Sequence, residues 1–163
     1  MKYLLFAGLF TLLAMFASCK KEQKLQVNID TSVDVFVKNI NGDNLLLGGT
    51  TNAVNPDSIK LKYLINGNVR TVYNSDLDCP RAVCFLTDAG NERIRIFPND
   101  LETEAYPITY IDWGNGDVDT IKCHFERNAS GSTVICDKVW FNNTLKYPDD
   151  AIAEIGRAFK IVK

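Results

Sequence analysis

Three groups of residues have the types and spacing to do chemistry. The first is the cysteine set Cys79, Cys84, Cys123 and Cys136. Thiols in pairs bind soft metals or oxidise to disulfides. Structural zinc favours Cys-x2-Cys knuckles, whereas these spacings are Cys-x4-Cys and Cys-x12-Cys. The single histidine, His124, adjoins Cys123. Neighbours in a strand point to opposite faces, so those two are poorly placed to share an ion. Disulfides are the better reading, and four cysteines allow three connectivities. Geometry favours Cys79–Cys84 and Cys123–Cys136. A hairpin folded tightly about Asn128-Ala129-Ser130-Gly131 sets Phe125 opposite Val134, His124 opposite Ile135 and Cys123 opposite Cys136, within bridging distance.

The second group is the run from Asp112 to Asp119, with Asp112, Asp117 and Asp119 as oxygen donors. Calcium takes six to eight oxygens, and loops dense in Asp, Asn and Gly supply them. The glycines at 114 and 116 break the alternate-ligand register of an EF-hand, so that motif is excluded. A hairpin turn explains the same composition, because Gly and Asn accept positive φ and Asp accepts local backbone bonds. The turn is the stronger reading, and neither metal nor cofactor is expected.

The third group is aromatic. Trp113 and Tyr110 flank the same turn and are the candidates for a ligand contact. Trp140 lies in an alternating strand and is expected in the core. For hydrolysis, Glu102, Glu104, Asp112 and Asp117 are the available carboxylates. Glycoside cleavage needs two of them at a defined separation. No Gly-x-Ser-x-Gly elbow and no His-Glu-x-x-His motif is present. A non-enzymatic role is therefore expected, with a small hydrolase as the lesser alternative.

These residues must be positioned by strands. Period-two alternation recurs at Val33–Lys38, Ile59–Ile65, Val69–Tyr73, Ala82–Leu86, Arg93–Phe97, Ile108–Trp113, Val118–Arg127, Thr133–Phe141 and Phe159–Val162. Asn66-Gly67 is a strong hairpin signal. Helical periodicity is nearly absent, apart from a short C-terminal helix expected after Pro148. About eight short strands with turn signals between them indicate an all-β sandwich. Contacts with partners are expected at the loops Asn41–Pro56 and Leu77–Cys84.

The chain has 163 residues, 46% hydrophobic, with a formal charge of −2. That balance gives no electrostatic pull toward nucleic acid. The start is distinctive. Lys2 precedes an apolar run through Ala17, which ends in Ala17-Ser18-Cys19. A basic residue, a short apolar stretch and small residues form a secretory signal. Such a run is too short to span a bilayer, which needs about 20 apolar residues. Ser18-Cys19 resembles the lipobox of bacterial lipoproteins, which implies that Cys19 is acylated and becomes the new amino terminus. The expected organisation is a leader over residues 1–18, a lipidated cysteine and tether over 19–32, and a sandwich over 33–163.

The mature chain also resembles short lipoproteins of Bacteroidetes. The resemblance rests on the stretch Phe36 to Leu46, on Trp113 to Ile121, on Val139-Trp140-Phe141-Asn142-Asn143 and on the closing Phe159 to Lys163. It implies an immunoglobulin-like antiparallel β-sandwich anchored at the outer membrane, and it brings no functional residues with it. Members carrying acidic residues just after the cysteine are exported to the surface. Here Lys20, Lys21, Glu22 and Gln23 stand there, which leaves the periplasmic and cell-surface faces both open. The expectation is a lipid-anchored binding or structural module with a protein or glycan partner. The alternative is a carbohydrate-binding accessory of polysaccharide uptake.

Overall fold

The computed structural model describes residues 27–88, 90–101 and 104–163. Cys19, its leader and Glu102 lie outside the described residues. The elements among these residues are β1 (Asn28–Asp30), β2 (Val33–Lys38), a 3-10 turn (Pro56–Ser58), β3 (Lys60–Ile65), β4 (Asn68–Thr71) and β5 (Val83–Leu86). There follow β6 (Arg93–Ile96), β7 (Ile108–Asp112), β8 (Val118–Arg127), β9 (Thr133–Phe141), β10 (Thr144–Tyr147) and β11 (Ala158–Val162).

They form an immunoglobulin-like sandwich of two sheets. The larger runs β1-β9-β8-β7-β3-β4, with β10 sharing the outer edge of β9. The smaller runs β11-β2-β6-β5. The alternation read from sequence sets the faces. Val33, Val35 and Val37 of β2, Ile94 and Ile96 of β6, and Phe159 and Ile161 of β11 turn inward. They meet Leu61, Ile111, Ile121, Cys123 and Val139 from the larger sheet. Each fully buried aliphatic side chain stabilises the fold by roughly 1.5–3 kcal/mol.

Four features depart from the sequence reading. Residues 28–30 belong to the sandwich rather than to the tether, because they pair in parallel with β9. The sheets are mixed, since β11 also pairs in parallel with β2. Two short strands, β1 and β10, are added at one edge. The stretch after Pro148 forms no helix: it runs through turns, and Gly156 at positive φ leads the chain directly into β11.

Arg157 closes this corner. Its guanidinium donates to the Ser32 carbonyl at 2.8 Å and to Asp30 at 2.9 Å, reaches the Cys136 carbonyl, and lies over the Tyr147 ring. One cation thus ties β1, β9 and the start of β11 together. The hydrogen bond from Arg157, more than its charge, holds the Asp30 carboxyl below its usual range.

Candidate functional site

The main concave feature is an open groove of about 880 Å³. It lies between the loop following β2 and the turn joining β7 to β8. The loop is built by local side-chain bonds. Asn39 accepts from the backbone N–H groups of Asn41 and Asp43, both at 2.9 Å, and its amide donates to Asp43. Buried Leu45 and Leu46 pin the loop to the core, and the Val54 N–H donates back to the Leu45 carbonyl at 2.7 Å. Buried Asn44 holds the fold of this segment by donating to the Glu92 carbonyl and accepting from the Leu46 N–H.

The opposite wall is Asn115 and Asp117, within the run from Asp112 to Asp119. Asp112 accepts from the Gly114 N–H at 3.0 Å, and Asn115 accepts from the Asp117 N–H at 3.0 Å. These are turns closed by Asp and Asn side chains. Of the three carboxylates of the calcium reading, Asp117 and Asp119 converge on the Lys163 ammonium and Asp112 stands apart. Asp112 pairs with Lys62 at 2.8 Å. Asp117 pairs with Lys163. Asp119 is buried and accepts from Trp113 Nε1 at 2.8 Å and Asn142 at 2.6 Å, with Lys163 at 2.5 Å. Burial alone would raise the Asp119 carboxyl, but the bonds from Lys163, Asn142 and Trp113 hold it below its ordinary value. Among the described residues no three His, Cys, Asp or Glu side chains are grouped to hold a metal. What remains for a ligand is hydrogen-bonding capacity: the amides of Asn41 and Asn52, the NH2 group of Asn115 and the hydroxyl of Thr51, since Asn39 and Thr50 are engaged within the loop itself. Ile40 stands on the rim, 85% exposed.

The loop Asn41–Pro56 thus supplies residues to one wall. Leu77–Cys84 does not contribute to the lining. Its Arg81 instead reaches the carbonyls of Asp57 and Ile59.

The two tryptophans exchange the roles read from sequence. Trp113 is 1% exposed and belongs to the core, so it offers no face to a ligand. Its indole N–H is taken by Asp119, and Lys163 lies over its ring. Trp140 instead sits half-buried on the solvent face of the larger sheet. Tyr110, also half-buried, shares that face through outward positions of β7.

His124 has a carboxylate partner that its sequence neighbours did not reveal: Asp137 at 2.5 Å. The cause is the register. Asn128 closes the hairpin onto Thr133, so Arg127 pairs with Val134 and Phe125 with Cys136. A bulge then sets His124 against Lys138 and Cys123 against Val139. The expected Cys123–Cys136 cross-strand pairing is overturned, because the hairpin closes two residues later than Gly131 and the bulge adds another. Both remain free, buried thiols. Hydrogen bonding to Cys136, then burial, pushes the Cys123 thiol up. Cys79 and Cys84 do form a disulfide, with their Cα atoms 5.4 Å apart.

No family model matches the chain, and neither a curated protein nor a solved structure matches it.

Proposed function

We propose that the chain is an outer-membrane lipoprotein, akin to the short lipoproteins of Bacteroidetes, whose sandwich is a non-enzymatic binding module of the cell envelope. The observation carrying this reading is the polarity of the larger sheet. The chain joins the sandwich at Asn28, which pairs with Thr133 at the start of β9. That is the end where β8 finishes, at Arg127. The groove wall, Asn115 and Asp117, precedes the other end of β8, at Val118. Ten residues of strand separate the two ends, roughly 33 Å of travel.

The chain between Cys19 and Asn28 spans at most about 30 Å. Two acyl chains on Cys19 give stable attachment. An anchored chain would therefore hold the Asn28 end near the bilayer and present the groove away from it. A hydrogen-bonding groove held outward on a short leash suits capture of an envelope partner.

The test has two arms. Cys19→Ala is expected to lose palmitate labelling and to release the protein from membranes. A photo-reactive residue at Ile40 is expected to crosslink a discrete envelope component, whereas one at Val69, on the exposed edge strand β4, is not. Membrane retention by Cys19→Ala, or equal crosslinking from both positions, refutes the reading.

A further inference from the structure

We infer that the solvent face of the larger sheet is a binding platform for a carboxylated oligosaccharide, separate from the groove. The face is built by strand alternation. Lys122 of β8 pairs with Trp140 of β9 on one side and with Ile108 of β7 on the other. One outward step along β7 is Tyr110, paired with Lys62 of β3. Tyr106 packs edge-on to Trp140 at 5.7 Å between ring centroids and leans on His124 at 5.3 Å. Tyr106 is itself 50% exposed. Trp140, Tyr106 and His124 therefore form a connected layer of rings on the solvent face, with Tyr110 further along the same face. A pyranose suits such a layer, since its C–H face stacks on a ring while its hydroxyls meet polar neighbours.

The charges choose the kind of sugar. Two carboxylates of this face are spent, Asp112 on Lys62 and Asp137 on His124, while Glu126 stands exposed further along β8, paired in register with Ile135. Lys122 and Lys138 have no carboxylate partner among the described residues. The Lys122 ammonium rests 4.9 Å from the Trp140 ring centroid. At a half-exposed site that contact is weaker than a charge-assisted hydrogen bond, so a ligand carboxylate would draw the ammonium toward itself. A uronic acid carries its carboxylate at the edge of the stacking ring, so the ammonium that lies over the indole would swing aside to meet it as the sugar takes its place on the ring. A single-stranded nucleic acid also stacks and is anionic, but it needs a basic track along its backbone. Here Glu126 and Asp137 interrupt the face, and the chain is net negative.

The experiment is calorimetric titration of the full-length chain in detergent micelles with oligogalacturonate. Neutral cello-oligosaccharide and a single-stranded DNA oligonucleotide serve as comparison probes. Saturable oligogalacturonate binding that weakens with salt is expected. Trp140→Ala is expected to abolish it, and Lys122→Gln to weaken it about tenfold. Asp43→Asn, in the groove, is expected to leave it unchanged, so failure here is distinct from failure of the groove. Fluorescence of buried Trp113 reports folding of each variant, and Tyr106→Ala replaces Trp140→Ala if the latter unfolds. The inference is overturned by no oligogalacturonate binding, by binding indifferent to these platform substitutions, by equal affinity for the neutral glucan, or by tighter binding of DNA.

Discussion

Asp34→Ala should be among the most damaging single substitutions in the smaller sheet. Asp34 is 3% exposed on the outer face of β2. Arg95 grips it in a bidentate pair at 2.7 and 3.0 Å, and Arg93 donates to it at 2.8 Å. Removing one partner of a buried ion pair costs about 3–5 kcal/mol, because the remaining charges are left uncompensated. Two facts set the loss at the low end. Arg95 is 39% exposed, so solvent screens its share. Arg93 keeps Asp88 at 2.7 Å. About 3 kcal/mol is expected, which at a urea slope near 2 kcal/mol/M moves the midpoint by about 1.5 M. Acidity supplies an internal check. Burial alone would raise the Asp34 carboxyl, but hydrogen bonds from Arg95 and Arg93 hold it below the ordinary 3.8. A group lowered on folding contributes stability above its unfolded value and loses it as pH falls through its folded value. The gap between wild type and Asp34→Ala should therefore be full at pH 7 and narrow below pH 3.8. Urea melts followed by Trp113 fluorescence at several pH values measure both. A midpoint shift under about 0.5 M, or a gap that persists in acid, would refute the reasoning.

Two further outcomes follow from the turns and the bridge. A Cβ at Gly114 would lie 2.5 Å from Ser58 Cβ, at a backbone φ of +82°. Gly114→Ala should break the 2.9 Å bond from Ser58 Oγ to the Trp113 carbonyl and cost about 2–3 kcal/mol. Gly116→Ala meets open space at φ +90° and should cost only the backbone strain, about 1 kcal/mol; equal losses in thermal melts would contradict the steric argument. Replacing Cys79 and Cys84 together by Ser opens a short loop and should destabilise by about 2 kcal/mol, read as the difference between oxidised wild type and the double variant.

The strands were legible because each needs only its own alternation. β2 through β9, and β11, lie within a residue or two of their sequence-read limits. Asn66-Gly67 makes its hairpin with both residues at positive φ. What escaped were elements without a period of their own. β1 has three residues, all exposed, and exists because β9 offers it an edge. β10 follows β9 after a turn at Asn142 and Asn143, both at positive φ. Its register then shifts between Leu145 and Tyr147, which blurs the alternation. The stretch after Pro148 has helix-like spacing, but Gly156 and the pull of β11 toward β2 turn it into a connection instead.

The candidate sites were half legible for a related reason. Alternation says which residues share a face and nothing about which face meets the core. Trp113 stands beside a turn, where exposure is the reasonable expectation, but Asp119 two residues into β8 receives its indole N–H and draws the ring inward. Trp140 alternates cleanly, yet its partners in register are Lys122 and Leu145, both outward. The pairing of Cys123 with Cys136 failed because the hairpin closes at Thr133, two residues beyond Gly131, and a bulge shifts the ladder once more; a pattern of period two encodes neither. The unbulged ladder already aligns Asp137 with His124, and the extra residue keeps Lys138 outward while it sets Val139 against Cys123 in the core. Asp137 is committed to the imidazole, and the Lys122 ammonium is left with a neutral indole ring that an anion can replace.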